Sequence, residues 1–238
     1  MNVSEEVLVG EAVANDYRTA QVFSNYGIDF CCRGNRTIAE VCDKNKVDQD
    51  RLLAELNEIL NAQSGQDIDF NSWPMDLLVD YIEKTHHRYV EKQVPVLKAY
   101  LEKIRKVHGD QHPELANIET LFNASANELT THMKKEELIL FPQIKKMVKA
   151  KLKGEKMEKP PFGTVQNPIA NMMAEHDNEG VRFREIAELS NNYTPPEDGC
   201  NTYRVAFSLV KEFEEDLHKH IHLENNILFK KAIVLEQE

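Results

Sequence analysis

The segment His132-Met133-Lys134-Lys135-Glu136-Glu137-Leu138-Ile139-Leu140-Phe141 returns near the C-terminus as His220-Ile221-His222-Leu223-Glu224-Asn225-Asn226-Ile227-Leu228-Phe229. Both read H-x-x-x-E-x-x-I-L-F. A His and a Glu four residues apart share one face of a helix, a turn from each other. A single such pair is more often an exposed ion pair. Two copies in matching context, each followed by an apolar triplet that ties the helix to a core, point to a metal site. Its mixture of imidazole and carboxylate suits iron.

Other histidines fall into register with these two. His87 lies on the apolar stripe of Leu77 and Val94, which turns its neighbour His86 outward. His176 follows Ile169, Met172 and Met173 at spacings of seven, four and three. The expected interior set is His87, His132, Glu136, His176, His220 and Glu224. Each Glu would bridge two ions, because anionic bridges offset the repulsion between neighbouring cations. Six protein ligands cannot fill two octahedral shells, so positions stay open for a small molecule. Glu128 and Glu175 flank the cluster, either as solvated carboxylates or as partners of its ligands. His218 and His222 are turned about 160° from His220 by helical geometry, toward solvent or outer positions. His108 and His112 sit in a turn, where they would cap helix ends.

A second chemical feature is Cys31-Cys32, in Asp29-Phe30-Cys31-Cys32-Arg33-Gly34-Asn35-Arg36. The following helix start and the two arginines would lower a thiol pKa, giving a reactive thiolate or an iron ligand. The alternative is a pair of small buried residues. Cys42 and Cys200 are isolated, and four cysteines in such a chain do not make a disulfide framework.

The elements that must position these residues are helical. Short amphipathic patterns fill residues 1–62. Asn61 to Asp67 reads as a linker, Ser72 as a helix cap and Pro74 as a first-turn residue. Four long helices follow, over about 75–106, 113–148, 164–191 and 199–235, with Pro95 and Pro142 as expected kinks. Lys149 to Gly163 reads as a mobile loop. The fold class is all-α: a small helical domain over 1–62, too small to bury much core alone, and an antiparallel four-helix bundle over 72–238.

Composition excludes several functions. The chain has 238 residues, 41% hydrophobic and 29% charged, with net charge −11. That charge argues against nucleic acid as a partner. No apolar run reaches the ~20 residues of a membrane span, and the acidic N-terminus is unlike a signal peptide, so cytoplasmic residence is expected.

The segments DFCCRG, ELTTHMKKEELILFP, MMAEHDNEG and HIHLENNILF, in this order, resemble the iron–sulfur cluster repair di-iron proteins, or repair-of-iron-centres family, across nearly the whole chain. The resemblance implies a hemerythrin-like bundle with two non-haem iron ions, oxo- and carboxylate-bridged. By motif match its ligands are the six residues named above, with Cys31 and Cys32 as the family's N-terminal pair. It implies a role in restoring clusters damaged by nitric oxide or peroxide, by iron donation or by nitric oxide reduction. Expected partners are damaged iron–sulfur proteins, with nitric oxide or oxygen as small ligands; a homodimer is left open. Oxygen-carrying hemerythrins place a second His where this chain has Gly180, and use His-x-x-x-x-Asp on their last helix. A sensor of oxygen, nitric oxide or redox state is the alternative function.

Overall fold

The computed structural model describes residues 3–62, 68–157 and 159–238. Among them all extended secondary structure is helical, and one isolated bridge joins Leu8 to Thr37. No helix of the described residues is long and apolar enough to cross a membrane. The chain forms two compact units: the N-terminal residues through Leu78 together with Ile221–Glu238, and Val79–His220. This division departs from 1–62 and 72–238 at both ends of the second range, since residues 72–78 also fall in the first unit. The end of the last helix groups with the N-terminal helices.

In the first unit the early helices are α1 (Val9–Asn15), α2 (Thr19–Asn25), α3 (Ile38–Asn45) and α4 (Gln49–Asn61). Thr37 starts α3 with a capping box: its hydroxyl accepts from the Glu40 N–H, and the Glu40 carboxylate accepts from the Thr37 N–H. Such a cap contributes about 1 kcal/mol. Asp48 caps α4 in the same way through the Arg51 N–H. Gly27 ends α2 at φ 65°, in the left-handed region that glycine tolerates. Val9, Val13, Phe23, Ile38, Val41, Leu52 and Leu56 are buried, and Phe229, Ala232 and Leu235 of the C-terminal segment are buried in the same unit. The small module thus gains core from the chain's own end. Ser72 does not cap a long helix. It closes a short 3-10 turn, Phe70–Ser72, which Asp69 caps. Of the expected linker, residues 63–67 lie outside the described residues.

The second unit is built of long helices. After α5 (Met75–Tyr81) comes a π-helical turn, Ile82–His87, and then α6 (Arg88–His108), which runs unbroken through Pro95. Next are α7 (Glu114–Lys135), a π-turn over Glu136–Leu140, and α8 (Phe141–Lys153). Then follow α9 (Gln166–Leu189) and α10 (Asn201–His222). Residues 149–153, expected to be loop, are the last turn of α8, which ends at Gly154 with φ 65°. Pro142 sits in the first turn of α8, where its missing N–H costs little. Cross-helix pairs give the directions. His87 meets Glu137, Lys98 meets Asn127 and Arg105 meets Glu119, so α6 and α7 are antiparallel. His86 with Asp216 and Tyr89 with Glu212 make α10 antiparallel to α6. Ser125 with Glu179 and His132 with Glu175 do the same for α7 and α9. Phe122, Phe183 and Phe213 form an aromatic core, with the Phe122 and Phe213 rings edge to face at 5.4 Å.

The π-turns are the part that a 3.6-residue periodicity does not contain. Each admits an extra residue and shifts the following side chains about 100° round the axis. The Phe141 N–H reaches back five residues to the Glu136 carbonyl. Leu140 and Phe141, four and five residues past Glu136, are thereby both buried, while Leu138 and Ile139 stand 73% and 48% exposed.

Candidate metal centre

Within the second unit four helical runs converge on buried nitrogen and oxygen donors. His87 ends the first π-turn, His132 and Glu136 flank the α7 terminus, His176 lies mid-α9 and His220 lies near the end of α10. All five side chains are buried. One oxygen of Glu136 stands 3.4 Å from His87 Nε2 and 3.4 Å from His132 Nε2. The donors of His87, Glu136 and His220 all lie within 4.8 Å of one another, as do those of His132, Glu136 and His176. Glu136 is therefore common to two His-bearing triads.

The spacing fits metal ions. Nε2 of His132 and Nε2 of His176 are 3.0 Å apart. Two nitrogens at ~2.1 Å from one ion and at right angles are separated by ~3 Å. Their outer nitrogens are held as well. Nδ1 of His132 donates to Glu175 at 2.8 Å, and Nδ1 of His87 to Glu137 at 3.1 Å. A carboxylate on Nδ1 fixes the proton there and aims the Nε2 lone pair inward, an arrangement typical of metal-bound histidine. Burial opposes ionisation of Glu175, but hydrogen bonds from Lys135 and His132 win and hold its carboxyl below the usual range. Glu137 is lowered likewise: burial opposes, Lys134 and His87 prevail. The donor set thus suits a cation-binding centre.

Glu224 is fully buried, one turn beyond His220 in the same helical run. It belongs to the first unit, where a π-turn, Leu223–Leu228, joins α10 to α11 (Phe229–Glu236). Phe229 N–H bonds back five residues to the Glu224 carbonyl. Both copies of the sequence repeat therefore carry the same backbone irregularity.

Several expected positions need correction. His86 is not outward; it is buried, donates from Nδ1 to Asp216 at 2.9 Å and stacks on the His220 ring at 5.6 Å. In a bundle each helix touches two neighbours, so adjacent residues can both be internal: His87 turns to Glu136, His86 to α10. His222 is also buried, between the rings of Tyr17 and Phe30. Met173 is 40% exposed. Glu128 does not touch a histidine; it pairs with Arg182 at 2.8 Å. Glu179, missed in the sequence, is buried and accepts from the Ser125 hydroxyl at 2.6 Å. A polar Ser125 and Glu179 at core-stripe positions were the available sign. Glu128, Lys135, Glu175 and Glu179 line a cleft of about 390 Å³ that reaches His132 and His176.

The Cys loop, in the first unit, is built differently. Asp29 Oδ1 accepts from the Cys32 N–H at 2.9 Å and from the Cys31 thiol at 3.5 Å. Cys31 Sγ and Cys32 Sγ are 3.6 Å apart and neither is in a disulfide. Asn225 donates to the Cys31 carbonyl at 3.2 Å. Asn226 donates to the carbonyls of Phe30 and Cys31 and lies 3.1 Å from His222 Nδ1. A Cβ on Gly10 would stand 2.3 Å from Asn226 Oδ1, so only glycine lets the asparagine in. The expectation of a depressed thiol pKa fails at Cys31. The bond with Cys32, burial and the Asp29 charge push this thiol well up. Cys200 is the activated one: His108 Nε2, 3.3 Å from its sulfur, brings the exposed thiol down to about 7. His112 sits between Glu114 and Asp198.

Comparison with known proteins agrees with this division of chemistry. Residues 5–60 match a domain of unknown function, DUF542, and residues 78–232 match the hemerythrin HHE cation binding domain. The iron-sulfur cluster repair protein ScdA of Staphylococcus haemolyticus (strain JCSC1435) is 31% identical over 229 residues, covering 96% of this chain and 99% of that protein. The iron-sulfur cluster repair protein YtfE of Yersinia pseudotuberculosis serotype O:1b (strain IP 31758) is 35% identical over 216 residues, 91% of each chain. The YtfE protein of Yersinia pestis (strain Pestoides F) shows the same identity and coverage.

Proposed function

The chain belongs to the iron–sulfur cluster repair family, in which a DUF542 module precedes a hemerythrin domain, and from that premise we propose that it restores damaged iron–sulfur clusters with two non-haem irons. The ligands are His87, His132, Glu136, His176, His220 and Glu224, and Cys31 and Cys32 form a second functional element. The observation that carries the reading is the place of Glu136, 3.4 Å from an imidazole on either side. A carboxylate shared by two sets of nitrogen donors is what a bridged pair of cations requires.

When bound, the irons supply electrons and open coordination positions for a small ligand such as nitric oxide. The protein's residues do the rest. Glu137 and Glu175 hold the Nδ1 protons of His87 and His132, so the Nε2 of each ring is the nitrogen aimed at a metal. The cleft beside His132 and His176 is lined by Glu128, Glu175 and Glu179, each paired with Lys135 or Arg182, and gives a polar approach to the site. Gly180 is buried on α9, next to Glu179, and leaves the site without a further imidazole there.

The test is a repair assay. A [4Fe–4S] hydro-lyase inactivated by nitric oxide or peroxide is incubated with iron-loaded protein and a reductant. Recovery of activity is expected with wild type and not with Glu136→Leu. Equal recovery with both would contradict the assignment.

A further inference from the structure

We propose that Asp29, Cys31 and Cys32 form a second metal site, which takes one thiophilic divalent cation. The inference stands on the loop's own geometry and goes beyond the repair reading of the bundle. A carboxylate oxygen and two sulfurs from a four-residue stretch lie within 4.8 Å of one another. Their separations match a chelate. Two sulfurs at ~2.3 Å from one tetrahedral ion are ~3.8 Å apart, and a sulfur and an oxygen ~3.6 Å apart. The observed values are 3.6 Å for Cys31 Sγ to Cys32 Sγ and 3.5 Å for Cys31 Sγ to Asp29 Oδ1.

The loop is held in that shape before any ion arrives. Asp29 Oδ1 binds the backbone N–H of Cys32 and of Arg33. From the other side Asn225 and Asn226 hold the carbonyls of Phe30 and Cys31, with close approach secured at Gly10 and Gly34. Preorganised donors spare the ion the cost of ordering them. Cys31 is buried while Cys32 and Asp29 are half-buried, so an ion would be sheltered yet within reach of an exchanging partner. Each thiol that binds releases its proton to solvent, and the two thiolates with the carboxylate more than balance a divalent charge. Three protein donors leave a fourth tetrahedral position for an incoming ligand, which suits a transferable ion rather than a structural one.

The experiment uses full-length iron-loaded protein in a Cys200→Ser background, which removes the exposed thiol. Cadmium is titrated in, and thiolate-to-cadmium ultraviolet absorption is followed. The bundle's nitrogen and oxygen donors give no such band, so the failure of one site is separable from the failure of the other. One cadmium per chain is expected at the loop. Cys31→Ser and Cys32→Ser should each abolish chelation by the pair, and Asp29→Asn should weaken binding about tenfold with both thiols intact. Iron content and circular dichroism check that each variant is folded; Cys32→Ser, at the half-buried position, decides if Cys31→Ser is not. No band in the parent, a band undiminished in Cys32→Ser, or unchanged affinity in Asp29→Asn would overturn the site.

Discussion

The two copies of H-x-x-x-E-x-x-I-L-F share their His, their Glu, the apolar triplet and a π-turn, and differ at the five positions between these. Where the first copy has Lys134, Glu137 and Leu138, the second has His222, Asn225 and Asn226. Glu137 supports a bundle histidine, and Leu138 faces solvent. Asn225 and Asn226 instead hold the Cys loop, and residues 220–229 are buried throughout. The shared His and Glu are the positions proposed as metal ligands. The divergent ones show that the second copy has a further task, fixing the cysteine pair to the last helix.

Substitutions can break or sharpen this comparison. The largest effect is expected at the shared Glu. Glu136→Leu should leave less than about half the iron of wild type, because it removes a donor common to both triads. Glu224→Leu, at the matching position of the second copy, should do the same; iron analysis of both variants reads this, and full iron in either would remove that Glu from the ligand set. Next comes the carboxylate behind the ligand. Glu175→Gln should weaken iron binding about 10-fold or more, whereas Glu128→Gln, on Arg182 rather than on a histidine, should leave it unchanged in a chelator competition. Exchanging the divergent residues follows. Asn226→Leu removes the donor to the Phe30 carbonyl and leaves the Cys31 carbonyl to Asn225 alone, and should cost about 1–3 kcal/mol in urea unfolding. The reciprocal Leu138→Asn should fall within about 0.5 kcal/mol of wild type.

The smallest effect separates two thiols. Cys200 becomes thiolate as pH rises through about 7, so its alkylation rate should climb across that value. His108→Ala should move the midpoint toward the ordinary thiol value of ~8.5. Cys31, pushed upward by Cys32, burial and Asp29, should stay unreactive over the same range. Alkylation followed by peptide mass mapping against pH reads both.

Much of this was legible in the sequence. The helical stripes put His87, His132, Glu136, His176 and His220 inward, and the structure buries all of them. What escaped depended on features that a uniform 3.6-residue helix lacks. A π-turn buries both Leu140 and Phe141 behind Glu136, which regular spacing does not. Two-sided packing brought His86 inside, which a single-stripe reading of adjacent histidines excludes. His222 and the activated Cys200 depend on partners far along the chain, Phe30 in one case and His108 in the other. Spacing within one helix does not contain those contacts. Local electrostatics misled at Cys31 because Arg33 and Arg36 were counted while the neighbouring Cys32 thiol, burial and the Asp29 carboxylate were not.

The central claim is that the bundle holds a bridged pair of irons. Iron content and a Mössbauer spectrum of anaerobically purified protein, re-oxidised in air, test it most directly. The account predicts about two irons per chain with the antiferromagnetic coupling of a bridged pair. One uncoupled iron, or zinc in its place, would contradict it.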